Sequence, residues 1–250
     1  MTWGFFSITH IISLILAVGI IVALYFALRK LKDSNKIIVL SILSFSGIAA
    51  IVFNLVAWNS PLEYLPLHLC SLNALILPIA VITRKKVLNN LLLLWSIGAL
   101  FALIINTSVA DAEIFSLTFL FYYFPHVFEL GIPILMFLLK LTKKDVKCIY
   151  STIGITLGVY TVIHFINLWI NSYAINNNIV DWQGNIIKVN YMYSIYPDNP
   201  LLDLFYGIIP VQYWYMYLVI IIVVLYLGLI YLPDIIRLIN QKLKINKKSL

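Results

Sequence analysis

Charge is what this chain has least of: 11 % of its 250 residues are Asp, Glu, Lys or Arg, where soluble domains carry about 25 %. Hydrophobic residues make up 62 %. Lipid is therefore the solvent for most of the chain. The polar block or Gly/Ser/Pro-rich linker that would mark a separate soluble module is also missing. One membrane domain over 1–250 is expected, with any chemistry inside it or in its longest loop. Cysteine is nearly absent. Cys70 and Cys148 fall near opposite membrane faces in the topology derived below, which excludes a disulfide and leaves two free thiols. There is no His-Glu-x-x-His, no Gly-x-Ser-x-Gly, no phosphate-binding loop and no channel filter. No His-x-x-x-His or Cys-x-x-Cys spacing occurs either, so no metal and no cofactor is expected. No lysine lies between Lys188 and Lys242, which excludes a retinal Schiff base in the last span.

The charge that is present is placed unevenly. Of 17 Lys and Arg residues, all but Lys188 fall into four clusters at the ends of apolar runs. These are Arg29/Lys30/Lys32/Lys36, Arg84/Lys85/Lys86, Lys140/Lys143/Lys144/Lys147 and Arg237/Lys242/Lys244/Lys247/Lys248. The intervening loops carry Glu63, Asp111, Glu113, Asp181, Asp198 and Asp203 instead. Cation-rich loops stay cytoplasmic, so the net charge of +7 reads as topology facing anionic headgroups, and no nucleic-acid partner is expected.

A hydrocarbon core of about 30 Å needs roughly 20 helical residues. Seven stretches qualify: 5–28, 37–57, 65–83, 87–106, 114–139, 149–171 and 208–232. The expected fold is all-α, a polytopic bundle of seven transmembrane helices with the N-terminus outside and the C-terminus cytoplasmic. The first run has no preceding basic residue and no Ala-x-Ala site, so it reads as a retained span. Residues 172–207 form a long external loop before the last helix. Within it, Ile179–Trp182, the Gln183-Gly184-Asn185 turn and Ile186–Val189 predict a small β-hairpin. That segment either caps the outer mouth of the bundle or lies exposed at the interface.

Ionisable groups inside spans cost about 2.5–3.5 kcal/mol each, so each needs a reason. All four histidines are embedded: His10, His68 and His164 in outer halves and His126 near the middle of the fifth span. With Asn54, Asn106 and the more central Asn73, they describe a polar cavity opening outward. His126 and Glu129 are three apart on one helical face, where the carboxylate can orient the imidazole; the pair reads as structural or catalytic. Cys70 shares its face with Asn73 and not with His68, so a histidine activating it comes from another helix, with His126 the best candidate. His10 and His164 have no acidic neighbour in sequence and read as hydrogen-bonded core residues or as ligands. Cys148 reads as a small apolar filler.

Leu65-Pro66-Leu67-His68-Leu69-Cys70, Tyr123-Phe124-Pro125-His126, and Asn199-Pro200-Leu201-Leu202-Asp203 running to Tyr213-Trp214-Tyr215 carry a family resemblance. The chain resembles the YwaF-like integral membrane family, with the eukaryotic transmembrane protein 164 family as a distant relative. The resemblance covers nearly the whole chain and implies a phospholipid acyltransferase with Cys70 as nucleophile and His126 as its base. Asn73 or His68 would serve the oxyanion, and Glu129, His164 and His10 are the remaining supporting candidates. The implied partners are a membrane phospholipid and the bilayer, in a cell membrane that composition suggests is bacterial. The competing expectation is a non-enzymatic lipid or small-molecule binder or carrier using the same cavity.

Overall fold

Six stretches of helix are long and apolar enough to cross a membrane, and a seventh apolar helix is shorter. The structure, a computed structural model, describes residues 2–58, 60–181 and 183–246, with side chains described up to residue 240. Trp182 of the expected hairpin and Lys247 and Lys248 of the last basic cluster lie outside the described residues. In chain order the helices are α1 (Ile8–Leu28), α2 (Asp33–Ser44), α3 (Ser46–Ala57), α4 (Leu69–Thr83), α5 (Lys86–Ile104), α6 (Leu117–Leu138), α7 (Cys148–Asn176), α8 (Pro200–Ile208) and α9 (Val219–Asn246). The protein is a multi-pass helical membrane protein.

Local chemistry sets these boundaries. Ser7 and Ser116 cap α1 and α6 by accepting from the amides of His10 and Phe119. Asn199 caps α8 the same way, with Pro200 pre-set at its first turn. The second span bends at Phe45, between Ser44 and the Ser46-Gly47 pair, a sequence that yields readily in a helix. Arg84 ends α4 in the left-handed conformation, φ +52°.

Three expectations change. The third span starts later than residue 65: Pro66 disfavours helix at Leu65, and Leu65–His68 form irregular, bent backbone before α4 begins at Leu69. The resulting 15-residue helix is about 22 Å long. The last span also starts late, with residues 209–213 non-helical around Pro210 and a 3-10 turn at Trp214–Leu218 leading into α9. The hairpin shrinks to one antiparallel bridge, Val180 to Ile186, and no strand forms among the described residues.

One end of the bundle carries the described residues of the basic clusters and is here called the basic end; the other is the acidic end. The main core lies toward the basic end, where Leu40, Leu77, Val81, Leu92, Trp95, Ile132 and Leu135 are fully enclosed around α5 and α6. At the acidic end Trp3 is fully buried and donates to Ser13 Oγ at 2.8 Å. Its amide and that of Gly4 donate to the carbonyls of Ala112 and Ala110, which fixes the loop bearing Asp111 and Glu113.

Candidate functional site

At the acidic end α3, α4 and α6 diverge around a cavity of about 730 Å3, within the range that takes a small organic ligand. It is lined along α6 from Ser116 to Glu129, which at 1.5 Å per residue is about 20 Å of depth. Cys70, His126, His68 and Glu129 all line it. The structure thus brings the thiol and imidazole of two helices to one void.

Cys70 stands in the first turn of α4, two residues past the helix-capping position at His68, and no side chain caps that terminus. Amides in a first turn have no intrahelical acceptor and favour negative charge. Late helix onset therefore places the sulfur among free backbone donors, which a helix starting at 65 would not have done.

His126 is 8 % exposed, and its Nδ1 lies 2.6 Å from the carbonyl of Tyr122 on the preceding turn. A carbonyl only accepts, so in the neutral ring Nδ1 carries the proton and Nε2 is left as an acceptor. Tyr122, not Glu129, orients the imidazole. Glu129 is 3 % exposed, and its Oε2 has no hydrogen-bond partner among the described residues. A β-carbon on Gly47 would lie 3.1 Å from its Oε1 and 2.5 Å from the Ala74 β-carbon, so only glycine lets α3 approach both.

The other predicted residues separate. Asn73 is fully buried on α4 with neither amide atom hydrogen-bonded, and it does not line the cavity, so it is corrected from oxyanion donor to packed neighbour. Its neighbour Ala74, about 100° further round α4, lines the void instead. His10 is fully buried, donates from Nε2 to the Leu103 carbonyl at 2.8 Å and accepts the Phe6 amide at Nδ1, so both ring nitrogens serve packing. His164 also lies outside the cavity and bonds Ser194 Oγ through Nδ1 at 3.0 Å.

That bond belongs to a clamp invisible in the motifs. Asn167 donates to the Tyr191 carbonyl at 2.8 Å and accepts its amide at 3.0 Å. Asn171, one turn later, does the same for Val189 at 3.0 and 2.7 Å. Amides four apart on one helix face thus grip residues two apart on an extended chain. The gripped segment brings Tyr191 and Tyr193 against the His68 ring, centroids 5.4 and 5.5 Å away, and Tyr193 lines the cavity. The loop contributes Tyr193 and Asp198 to the lining of the void. An Asn-x-x-x-Asn on one face of an apolar span was the available signal.

Sequence reasoning also missed the rim. Glu63, Asp111, Glu113 and Asp198 line the cavity with Trp58, Tyr64 and Tyr122, and no Lys or Arg does. Outside the spans, burial and then the nearby Asp203 hold the Asp198 carboxyl above its usual range. No group of three or more His, Cys, Asp or Glu with metal-site geometry occurs among the described residues.

A bundle of membrane-length helices around a cavity with a cysteine and two histidines on its wall defines an integral membrane protein with a site of its own. The chain matches the TMEM164 family over residues 5–231 and belongs to that family. No curated protein and no solved structure matches it.

Proposed function

We propose that this protein is a cysteine-dependent acyltransferase acting on membrane phospholipids. The observation that carries the reading is that Cys70 and His126 line one cavity, with the His126 ring held so that Nε2 is its free acceptor. In the first half-reaction Nε2 takes the thiol proton as sulfur attacks a lipid ester carbonyl. The ester oxygen leaves with that proton as the lyso-lipid hydroxyl, and the acyl group stays on Cys70 as a thioester. A second hydroxyl then attacks the thioester, giving its proton to His126 and restoring the thiol. The first-turn amides of α4 and the His68 ring supply donors for the transient oxyanion.

The membrane arrangement follows from charge. The chain is a single seven-span domain in which Leu65–His68 and α4 together make the third crossing, with the basic end cytoplasmic and α1 starting outside. The cavity and its capping loop then face the exterior of a bacterial plasma membrane, and lipid enters from the outer leaflet. Support comes from the four basic clusters alternating with acidic loops along the chain and from membership of the TMEM164 family.

The test uses purified protein in liposomes containing a phospholipid with a labelled acyl chain. Wild type should move label to an added lyso-lipid and carry a hydroxylamine-labile acyl group on Cys70. Cys70→Ala should abolish both, and His126→Ala should slow exchange by about 10²-fold or more. Unchanged exchange by a well-folded Cys70→Ala protein would remove the thiol from the mechanism. A non-covalent binder or carrier is the second reading, favoured by how little of the cavity wall is sulfur and how much is aromatic and carboxylate; Cys70→Ser would then keep full lipid transfer.

A further inference from the structure

A second chamber, of about 170 Å3, lies between α5, α7 and α9 and shares no lining residue with the first. Leu69 of α4 and Met192 of the gripped segment complete its wall. The polar side chains of that wall are all engaged. Trp95 Nε1 donates to Thr156 Oγ1 at 2.9 Å, and that hydroxyl donates to the Thr152 carbonyl at 2.7 Å. Tyr160 donates to the Tyr213 carbonyl at 2.9 Å, and the Tyr217 hydroxyl pairs with that of Tyr213 at 3.0 Å. Water entering would find no side-chain partner, and voids of this kind stay dry and accept apolar guests. The volume is well under the roughly 300 Å3 at which sites for whole small molecules begin. It has room for the end of a chain and none for a headgroup. Leu94, Trp95 and Ile97 stand about 12–16 Å along α5 from its first residue, near the middle of a hydrocarbon core of about 30 Å. On the α9 side Val224 is 57 % exposed and Ile220 39 %, so the outer wall of the chamber is also the surface that meets lipid tails. Leu69 stands between His68 and Cys70, which both line the first cavity, and it packs beside Gly98, where a β-carbon would lie 3.1 Å from Leu69 Cδ2. One leucine thus divides a polar chamber from an apolar one.

We infer that the chamber between α5, α7 and α9 seats the end of a hydrocarbon tail drawn from the surrounding bilayer, entering past Ile220 and Val224, with Leu69 as the partition from the Cys70 cavity. The site goes beyond the acyl-transfer reading and stands without the thiol, since it holds the tail by burial alone and no bond is made or broken there. A phospholipid tail and the chain of a free fatty acid share this chemistry.

Photo-crosslinking of the full chain in phosphatidylglycerol liposomes tests it, with two probes at equal mole fraction: a phosphatidylglycerol and a free fatty acid, each carrying a diazirine at the tail end. Mass spectrometry should find label on Leu94 and Trp95, which are buried away from bulk lipid. Label from the phospholipid assigns the site to lipid tails, and label from the fatty acid alone assigns it to free chains. Leu157→Trp on α7 and Val223→Trp on α9 fill the chamber from separate walls. Each should cut that label at least fivefold, while label on Ile15 and Leu16 of the exposed face of α1 stays as in wild type. Val162→Trp, exposed on α7 outside the chamber, is the control for added bulk and should change neither. Cys70→Ala should label as wild type does, which separates this test from the acyl-transfer reading. No label on Leu94 and Trp95 from either probe overturns the inference, as does label that survives both filling variants in protein with a wild-type melting midpoint.

Discussion

The two ends of this bundle use polar residues in opposite ways. At the basic end Asn89, Asn90 and Lys144 are spent on holding helices together. Asn90 of α5 donates to the Lys86 and Lys143 carbonyls at 2.8 and 3.2 Å and accepts from the Asp145 amide and the Tyr231 hydroxyl. Asn89 donates to the Ala80 and Lys85 carbonyls, both at 3.0 Å. Lys144 joins Asp234 and the Ile230 carbonyl at 3.0 and 2.8 Å. At the acidic end the carboxylates have no such partners, and the space they enclose stays open. Saturated polarity builds a fastening; unsaturated polarity around a void is a receptor. Cys148 and Cys70 show the contrast in one residue type, since the first is buried at the basic end of α7 and lines no cavity described here, while the second faces the open site.

The comparison breaks most readily at its two asparagine fastenings. Asn90→Ala removes its bonds to four backbone or hydroxyl groups, and each buried group left unpaired costs about 1–3 kcal/mol. It should lower the thermal unfolding midpoint in detergent more than any other change discussed, while leaving lipid exchange by the surviving folded fraction intact. Asn167→Ala strands the Tyr191 backbone pair instead. Limited proteolysis should then cut residues 177–199 first, with the helices unfolding at nearly the wild-type midpoint. Should Asn167→Ala melt the whole bundle as Asn90→Ala does, the two ends are not separable.

Gly47→Ala gives a smaller effect. Overpacking against Ala74 costs about 1–3 kcal/mol and pushes the Glu129 carboxyl from its place on the cavity wall, so the melting midpoint and lipid exchange should fall together. Gly154 on α7, with no atom within 4 Å of an added β-carbon, is the control: Gly154→Ala should leave both unchanged or raise the midpoint slightly.

The smallest effect is a difference of sign. The hydrogen bond from Lys86 holds the Asp145 carboxyl below its usual range, whereas burial holds Asp198 above it. Asp145 therefore adds stability above pH about 4 that is lost as pH falls through its lowered value. Asp198 instead costs stability when ionised, and that cost disappears as pH falls through its raised value. Asp145→Asn should flatten the acid limb of a stability–pH curve. Asp198→Asn should raise stability near neutrality. Identical curves for the two variants would dissolve the distinction between the ends.

Hydropathy and the grouping of cations made six of the spans legible, because lipid imposes both over 20-residue windows. The third span was misjudged at its start because one proline, Pro66, overrides an apolar run locally, and that late start is what leaves Cys70 among free amides. Cys70 and His126 both line the cavity, but the helical spacing that set His68 apart from Cys70 does not apply, since His68 precedes α4 in extended backbone and lines the same void. The orientation of Asn73 and the partners of His10 and His164 were not legible: which way a buried side chain turns depends on neighbours tens of residues away, such as Leu103 for His10 and Ser194 for His164. The rim acids were read for topology alone, because loop charges give no hint of the cavity they surround until α3, α4 and α6 are seen to diverge.

The grip of Asn167 and Asn171 on Val189 and Tyr191 falls on peptide groups and ignores what those two residues display. Ser194 is the exception, held through its hydroxyl by Asn167 and His164. Lineages can exchange the surface presented at positions 193 and 195–198, and with it the choice of guest, while the segment keeps its seat. Selectivity and architecture are free to drift apart.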